Sequence, residues 1–431
     1  MVIMECKMRL KAHFLIFLVL VMGLCFFCSD NSEPSFKLPE PTGTFDVGTD
    51  WFYFTDSSRP ETFTEDPNDF RELAVRVWYP AKINRDVEPC PYVEHTEAVP
   101  NQGLPDKLRS RLDQLNKRLS AIKTHSYQKA PLAENANSFP VILYSHGYWA
   151  GMNQSTILME ELASHGYFTV SIGHSFETNS ITKPDGTIIR FDPLNPEFRL
   201  RSVERQKTLD LERAITQTSD PEKIDFLIKE IMKARPKMLE SLSIWTDDIS
   251  FVIDSLEKIN NKVFGGKLDL KHIGVIGHSF GGTASGQACL KDSRITAGIN
   301  MDGLQIGDML EKNINKPFIF MHHDNQHAIN RAPNINFFRR AEGPAYLISI
   351  KNSGHYNFSD FSFPLISEVA PLPEGALGNI DGMRFIKILN DCVVTFFNIY
   401  LKNAKDKSMN ELCLDYPEVE INSINLSELA N

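Results

Sequence analysis

Apolar and polar positions along this chain follow two rhythms. Between Leu73 and Trp78 the order Leu-Ala-Val-Arg-Val-Trp predicts a strand, closed by Tyr79-Pro80. Over 104–122, Leu104, Leu108, Leu112, Leu115, Leu119 and Ile122 fall on one helical stripe. Pro140–Tyr144 is a short apolar run of the kind a strand buried on both faces shows. Helical spacing over 154–164 ends at Gly166, and Tyr167–Ile172 is the next strand. The rhythm then returns with a helix over 245–259, strand His272–Ile276 and a helix over 280–291. Strands near 296–300, 317–321 and 345–350 follow, with a long apolar helix over about 379–403. Strands alternating with helices predict an α/β fold, its mostly parallel sheet covered by helices on both faces.

Residues 175–244 interrupt this alternation. Ile181–Ile189 reads as a hairpin turning at Asp185-Gly186. Helices follow it, with Leu209, Ile215, Ile224, Leu227, Ile228 and Ile231 as apolar positions. This is an insertion outside the sheet, either a helical decoration or a cap over a pocket; a cap is the expectation. The ends differ from the body. Residues 1–28 place Lys7, Arg9 and Lys11 before an apolar run from Phe14 to Cys28, the layout of an export segment. Acylation at Cys28, an ordinary cleaved signal and an uncleaved signal-anchor all stay open. Residues 29–45 read as a linker, 46–405 as one α/β body and 406–431 as a polar tail with little core.

Composition removes some classes. A 42% hydrophobic, 23% charged chain is globular. With 45 basic and 55 acidic residues it has no basic footprint for nucleic acid. Of seven cysteines, Cys90, Cys289, Cys392 and Cys413 fall in the body, without a CxxC pair that would support a structural zinc site. Buried free thiols are expected there.

The chemistry concentrates at Gly277-His278-Ser279-Phe280-Gly281-Gly282. This GxSxG follows an apolar strand and opens a helix, the context in which the pattern marks a nucleophile elbow. A serine hydroxyl needs a base to take its proton, and such a fold supplies an acid and then a histidine further along the chain. Asp302 follows strand 296–300 at the sheet's carboxyl edge, and His355 sits in the loop after strand 345–350. The expected roles are Ser279 as nucleophile, His355 as general base and then acid, and Asp302 as the group that fixes the imidazole. Asp308 and Asp324 are weaker rivals for the acid. The backbone NH groups of Phe280 and Tyr148, the latter in Ser145-His146-Gly147-Tyr148-Trp149, are the expected oxyanion donors. His322, His323 and His327 invite a metal reading, but no HExxH accompanies them, so loop or supporting roles are expected. His278 is expected to pack in the core.

With these residues placed, the chain resembles the plasma-type platelet-activating factor acetylhydrolase family, a branch of the α/β-hydrolases. The likeness rests on Gly43–Gly48, Asp56, Arg59, Glu61, Arg71-Glu72-Leu73, Val77–Pro80 and Ser145-His146-Gly147. It continues through Lys183–Gly186, Trp245–Asp254, Gly277–Gly282, Asp302 and His355–Asp360. It runs over about residues 41–403. The resemblance implies a Ser-Asp-His esterase with no metal or organic cofactor. It implies hydrolysis of short or oxidised acyl chains from the second position of phospholipids, at a membrane surface if the N-terminus is an anchor. Two other readings stay open: a dienelactone-hydrolase-like or general carboxylesterase on small soluble esters, and an exported binding protein that keeps the fold without chemistry.

Overall fold

A computed structural model describes residues 37–426 apart from 84–86, 95–96, 99–105, 135, 193–194, 371 and 406. The export segment, Cys28 and Leu104 lie outside the described residues. The main sheet has ten strands. In chain order they are β1 (Asp46–Pro60), β2 (Phe70–Ala81), β3 (Ser126–Gln128), β4 (Phe139–Ser145) and β5 (Phe168–Gly173). A separate hairpin, β6 (Ser180–Thr182) and β7 (Ile188–Arg190), precedes β8 (Leu268–His278), β9 (Ile295–Met301), β10 (Phe318–His323), β11 (Ala345–Ile350) and β12 (Val419–Ile424). The order across the sheet is β12-β11-β10-β9-β8-β4-β5-β2-β1-β3. The central strands β11 to β5 are parallel to their neighbours, while β12 and β2 flank them antiparallel.

β4 shows why such runs are uninterrupted in apolar character. Every residue of it is buried. Successive side chains point to opposite faces of a strand. Thus Val141 and Leu143 enter one core while Ile142 and Tyr144 enter the other. The first core is closed by the helix Pro236–Val263 through Trp245, Ile249, Val252, Ile253 and Leu256. The second is closed by the helix Gly382–Lys402 through Phe385, Ile388, Phe396 and Phe397.

Three differences from the sequence pattern have physical causes. Pro236–Val263 is one continuous helix of 28 residues, so the insertion runs into the body without a break at 244. Pro236 stands at its first turn, where a missing NH costs nothing, and Leu242 continues the stripe of Trp245 and Ile249. The polar tail expected over 406–431 instead supplies β12 along β11, with Leu412, Tyr416 and Val419 buried. An edge strand needs only one apolar face, so its polar residues disguised it. The linker expected over 29–45 is fastened in its described part. Leu38 is buried, Thr42 NH donates to Glu161 Oε2 at 2.9 Å, and Gly43 NH donates to Ser164 Oγ at 3.0 Å. The four body cysteines are free thiols, three buried and Cys413 half-buried.

One buried ion cluster makes stability depend on pH. Arg76 of β2 lies fully buried beside Trp51 and Trp78, paired with Glu94 at 2.8 Å and Glu97 at 2.9 Å. Burial, opposed by Arg76, pushes Glu97 from 4.5 up to about 7. Its folded value lies above its unfolded one. The stability it contributes is therefore full below pH 4.5 and is lost as pH rises through about 7. Urea unfolding of the wild type should show a loss of up to about 3 kcal/mol across that window, and Glu97→Gln should flatten it. An equal slope in both proteins would contradict this.

Candidate active site

The site begins where β8 ends. The chain turns at Ser279 with φ 55° and ψ −120°, and the helix Phe280–Lys291 starts at the next residue. A positive φ at a non-glycine residue costs about 1–3 kcal/mol and persists only where packing imposes it. The flanking glycines show that packing. A Cβ on Gly277 would lie 2.3 Å from the Gly281 carbonyl carbon, and one on Gly281 would lie 2.0 Å from Ser145 O. The Ser279 NH donates to Met301 O at 2.9 Å, which ties the turn to the end of β9.

Asp302 follows at that strand end, also at positive φ (58°), its NH bonded to Met321 O of β10 at 3.1 Å. Its buried carboxylate collects four donors. Oδ2 accepts from His355 Nδ1 at 2.6 Å and from His323 Nδ1 at 2.7 Å. Oδ1 accepts from Asn330 Nδ2 at 2.9 Å and from the His323 NH at 3.2 Å. Burial alone would raise this acid, but the bonds from His323 and His355 outweigh it and hold the carboxyl well below the usual range.

His355 stands in the loop after β11, its side chain 35% exposed while that of Asp302 is fully covered. An acid in the interior thus holds an imidazole that reaches the surface. The ring of His278, next to Ser279, lies 4.6 Å from that of His355. His278 Nε2 donates to His355 O at 3.0 Å, and its Nδ1 accepts from Gln154 Nε2 at 2.9 Å. Burial and then His355 push His278 down to about 3, so it stays neutral with its proton on Nε2. Beyond packing in the core, it fastens the base loop to the turn.

The loop after β4 faces the start of the Phe280–Lys291 helix. Gly147 NH is taken by Gln154 Oε1 at 2.7 Å. Tyr148 NH has no acceptor among the described residues. Phe280 opens its helix, so its NH has no acceptor within it. Glu177, fully buried, grips this loop twice. Its carbonyl accepts from Trp149 NH at 3.0 Å, and its Oε1 accepts from Tyr148 OH at 2.7 Å. Ser241 Oγ and Trp245 Nε1 also donate to this carboxylate, at 2.5 and 2.7 Å. Arg201, on the insertion helix Pro196–Thr216, lies 3.8 Å from it. Trp149 also packs on Phe191 at 4.9 Å, which packs on Phe198 at 4.4 Å. The insertion therefore buttresses the loop after β4.

A second Ser-His-Asp string lies close behind. Ser145 Oγ is 3.1 Å from His174 Nε2, and His174 Nδ1 is 2.9 Å from Asp248 Oδ2. All three side chains are buried, and Arg71 bonds both Asp248 oxygens, at 3.1 and 2.7 Å. His174 stacks on Trp245 at 3.9 Å. Without access for a substrate this string braces the sheet edge; connectivity alone does not define a site.

The residues singled out in the sequence thus gather at one sheet edge: Ser279, Asp302 and His355, with the NH groups of Phe280 and Tyr148 alongside. Asp308 and Asp324 do not contact His355; Asp308 pairs with Lys291, and Asp324 accepts from Asn352 NH. Of the three clustered histidines, only His323 touches the acid. Asp302, His323 and His355 are the group among the described residues whose donor atoms lie within 4.8 Å of one another. Their spacing is that of hydrogen bonds, and no residue is assigned as a metal ligand. Glu177, His174 and Asn330 escaped the sequence pattern. The first two follow the carboxyl end of β5, the position where such sheets present their sites, and that was the available signal.

A mostly parallel sheet with a serine turn at the end of a central strand, then an acid and a histidine in that chain order, defines an α/β-hydrolase. The solved ferulic acid esterase of Streptomyces cinnamoneus superposes with a TM-score of 0.64 at 22% identity, over 90% of this chain and 99% of that one. The family described as platelet-activating factor acetylhydrolase, isoform II, matches residues 30–415. The chain belongs to that family, and it is an ester hydrolase. The platelet-activating factor acetylhydrolase of Cavia porcellus is 26% identical over 347 residues, 78% of this chain and 74% of that protein. A probable 1-alkyl-2-acetylglycerophosphocholine esterase of Arthroderma benhamiae is 23% identical over 422 residues, 89% of this chain and 93% of its own length.

Proposed function

We propose that this protein hydrolyses short acyl esters, including short chains at the second position of glycerophospholipids, through Ser279, His355 and Asp302. Ser279 Oγ attacks the ester carbonyl carbon while its proton passes to His355 Nε2. The carbonyl oxygen becomes an oxyanion and takes the NH groups of Phe280 and Tyr148. The imidazolium then protonates the leaving alcohol as the C–O bond breaks, leaving an acyl-serine. Water, deprotonated by His355, attacks that ester, and as the bond to Ser279 Oγ breaks the imidazolium returns its proton to that oxygen, releasing the carboxylic acid. Asp302 holds the proton on His355 Nδ1 throughout, so that Nε2 faces the reaction.

The observation that carries this reading is the 2.6 Å contact between buried Asp302 and half-exposed His355 beside the strained turn at Ser279. The family and the names of its relatives support the phospholipid class of substrate. An acyl-length series on choline phospholipids, run against simple p-nitrophenyl esters, tests it. Activity that falls steeply beyond short chains is expected, and a preference for soluble esters over short-chain phospholipids would point away from lipid.

Glu177 should matter through the loop it clamps. A donor displaced by about 1 Å costs roughly 10²-fold in rate. Glu177→Ala should therefore lower kcat by about that factor with KM little changed, and Tyr148→Phe, which leaves the carboxylate its bonds from Ser241 Oγ and Trp245 Nε1, should lose less. A rise in KM at unchanged kcat would contradict it. We further propose, from residues 1–28, that the chain is exported and that Cys28 is its acylation point. Metabolic labelling with a fatty acid, lost in Cys28→Ser, is the expected result. Among the described residues no helix is long and apolar enough to cross a membrane.

A further inference from the structure

The acid of this site serves two imidazoles through one oxygen. Asp302 Oδ2 lies 2.6 Å from His355 Nδ1 and 2.7 Å from His323 Nδ1. A carboxylate only accepts, so both Nδ1 atoms carry a proton. His323 is the last residue of β10, its own NH also bonded to Oδ1 at 3.2 Å, so strand and side chain clasp the acid together. The two rings stand 6.2 Å apart at 71° and converge on the carboxylate, one from the end of β10 and the other from the loop after β11. General base catalysis needs only one of these rings. The second is 13% exposed and has no part in the steps above.

We propose that His323 is a positioning residue that shares Asp302 with His355 and thereby sets the lower pH limit of ester hydrolysis. The proposal rests on the reading of Ser279, Asp302 and His355 as the reacting set. The cause is competition for one oxygen. Each hydrogen bond to a carboxylate disperses part of its charge and weakens what it offers the next donor. With His323 in place, Asp302 stabilises the charged form of His355 less than an undivided carboxylate would. If His323 itself gains a proton, its positive charge acts in the same direction, so the sign of the effect does not depend on its state. Other groups face this pair. His278 comes from the end of β8, His322 precedes His323 on β10, and Arg331 faces His322 near Asp302. Tyr356 lies beside His355 on its own loop, at 5.4 Å between rings. Burial keeps His278 and His322 neutral, at about 3 and about 4.

The test compares kcat/KM against pH for wild type, His323→Leu and His323→Asn. Leucine removes the donor. The acidic limb should then move to higher pH by about half to one unit, because Asp302 holds the charged base more strongly. Asparagine can place its Nδ2 where the imidazole Nδ1 stood, so its limb should lie close to that of the wild type. His323→Ser, which also removes the donor, serves should the leucine variant not fold, and the same upward shift is expected. A limb that stays put or moves down in the donor-free variant overturns the proposal. So does an asparagine variant that shifts as far as the leucine one. Ser279→Ala separates this from failure of the underlying reading: an active alanine variant removes that reading, whereas an inactive one leaves only the role of His323 in question.

Discussion

Replacing Ser279 with alanine should lower p-nitrophenyl acetate turnover by about 10⁶-fold, the scale lost when a serine nucleophile is removed. The protein should stay folded. The φ of 55° at this residue is imposed by contacts around Gly277 and Gly281, and alanine meets the same backbone cost as serine. A change in unfolding free energy within about 0.5 kcal/mol is expected. Stopped assays and a urea titration of the same preparation check both halves. Substantial turnover in the alanine variant would mean that the strain at this turn serves some other purpose.

Asp302→Asn should have the next largest effect, a fall in kcat of about 10⁴-fold. The carboxylate now accepts from His355 Nδ1, His323 Nδ1, the His323 NH and Asn330 Nδ2. An amide has one oxygen for these four donors. Its NH2 set toward the histidines forces His355 to accept at Nδ1 and turns its proton to Nε2, the nitrogen that must be free to act as base. Set the other way, it meets the His323 NH and Asn330. The first orientation costs the working tautomer of the base, and the second sets donor against donor at a cost of about 1–3 kcal/mol of stability. A variant with unchanged KM and near-normal kcat would contradict the role given to Asp302.

How much of this could be seen in the sequence follows from how local each signal is. The strand before Ser279 is buried on both faces and so reads as an apolar run, and Gly277 answers a contact only four residues away, at Gly281. Asp302 and His355 were legible because each follows a recognisable strand at the same sheet edge. β1 was not, since Asp-Val-Gly-Thr-Asp mixes polar residues into a strand near the sheet's end. β12 hid among polar residues for the same reason. The clamp around Glu177 joins residues 29 to 68 positions away, and Arg71 meets Asp248 across 177 positions. No periodicity reports such pairings. The clustered histidines show the limit most clearly. His322, His323 and His327 stand close together in the sequence, yet His323 alone turns to the acid, from the end of its strand to the residue just past the neighbouring one. Sheet order, not sequence spacing, decides that partner.

The central claim is that Ser279 is the nucleophile of an ester hydrolase. An organophosphonate with a fluoride leaving group tests it most directly, since the attacking oxygen keeps the phosphonyl group as fluoride departs. Peptide mass mapping after inactivation should find one adduct per chain on the peptide containing Ser279, with loss of activity in step with labelling and no adduct in Ser279→Ala. Inactivation with the label on another residue, Ser145 included, or labelled Ser279 with turnover intact, would contradict the account.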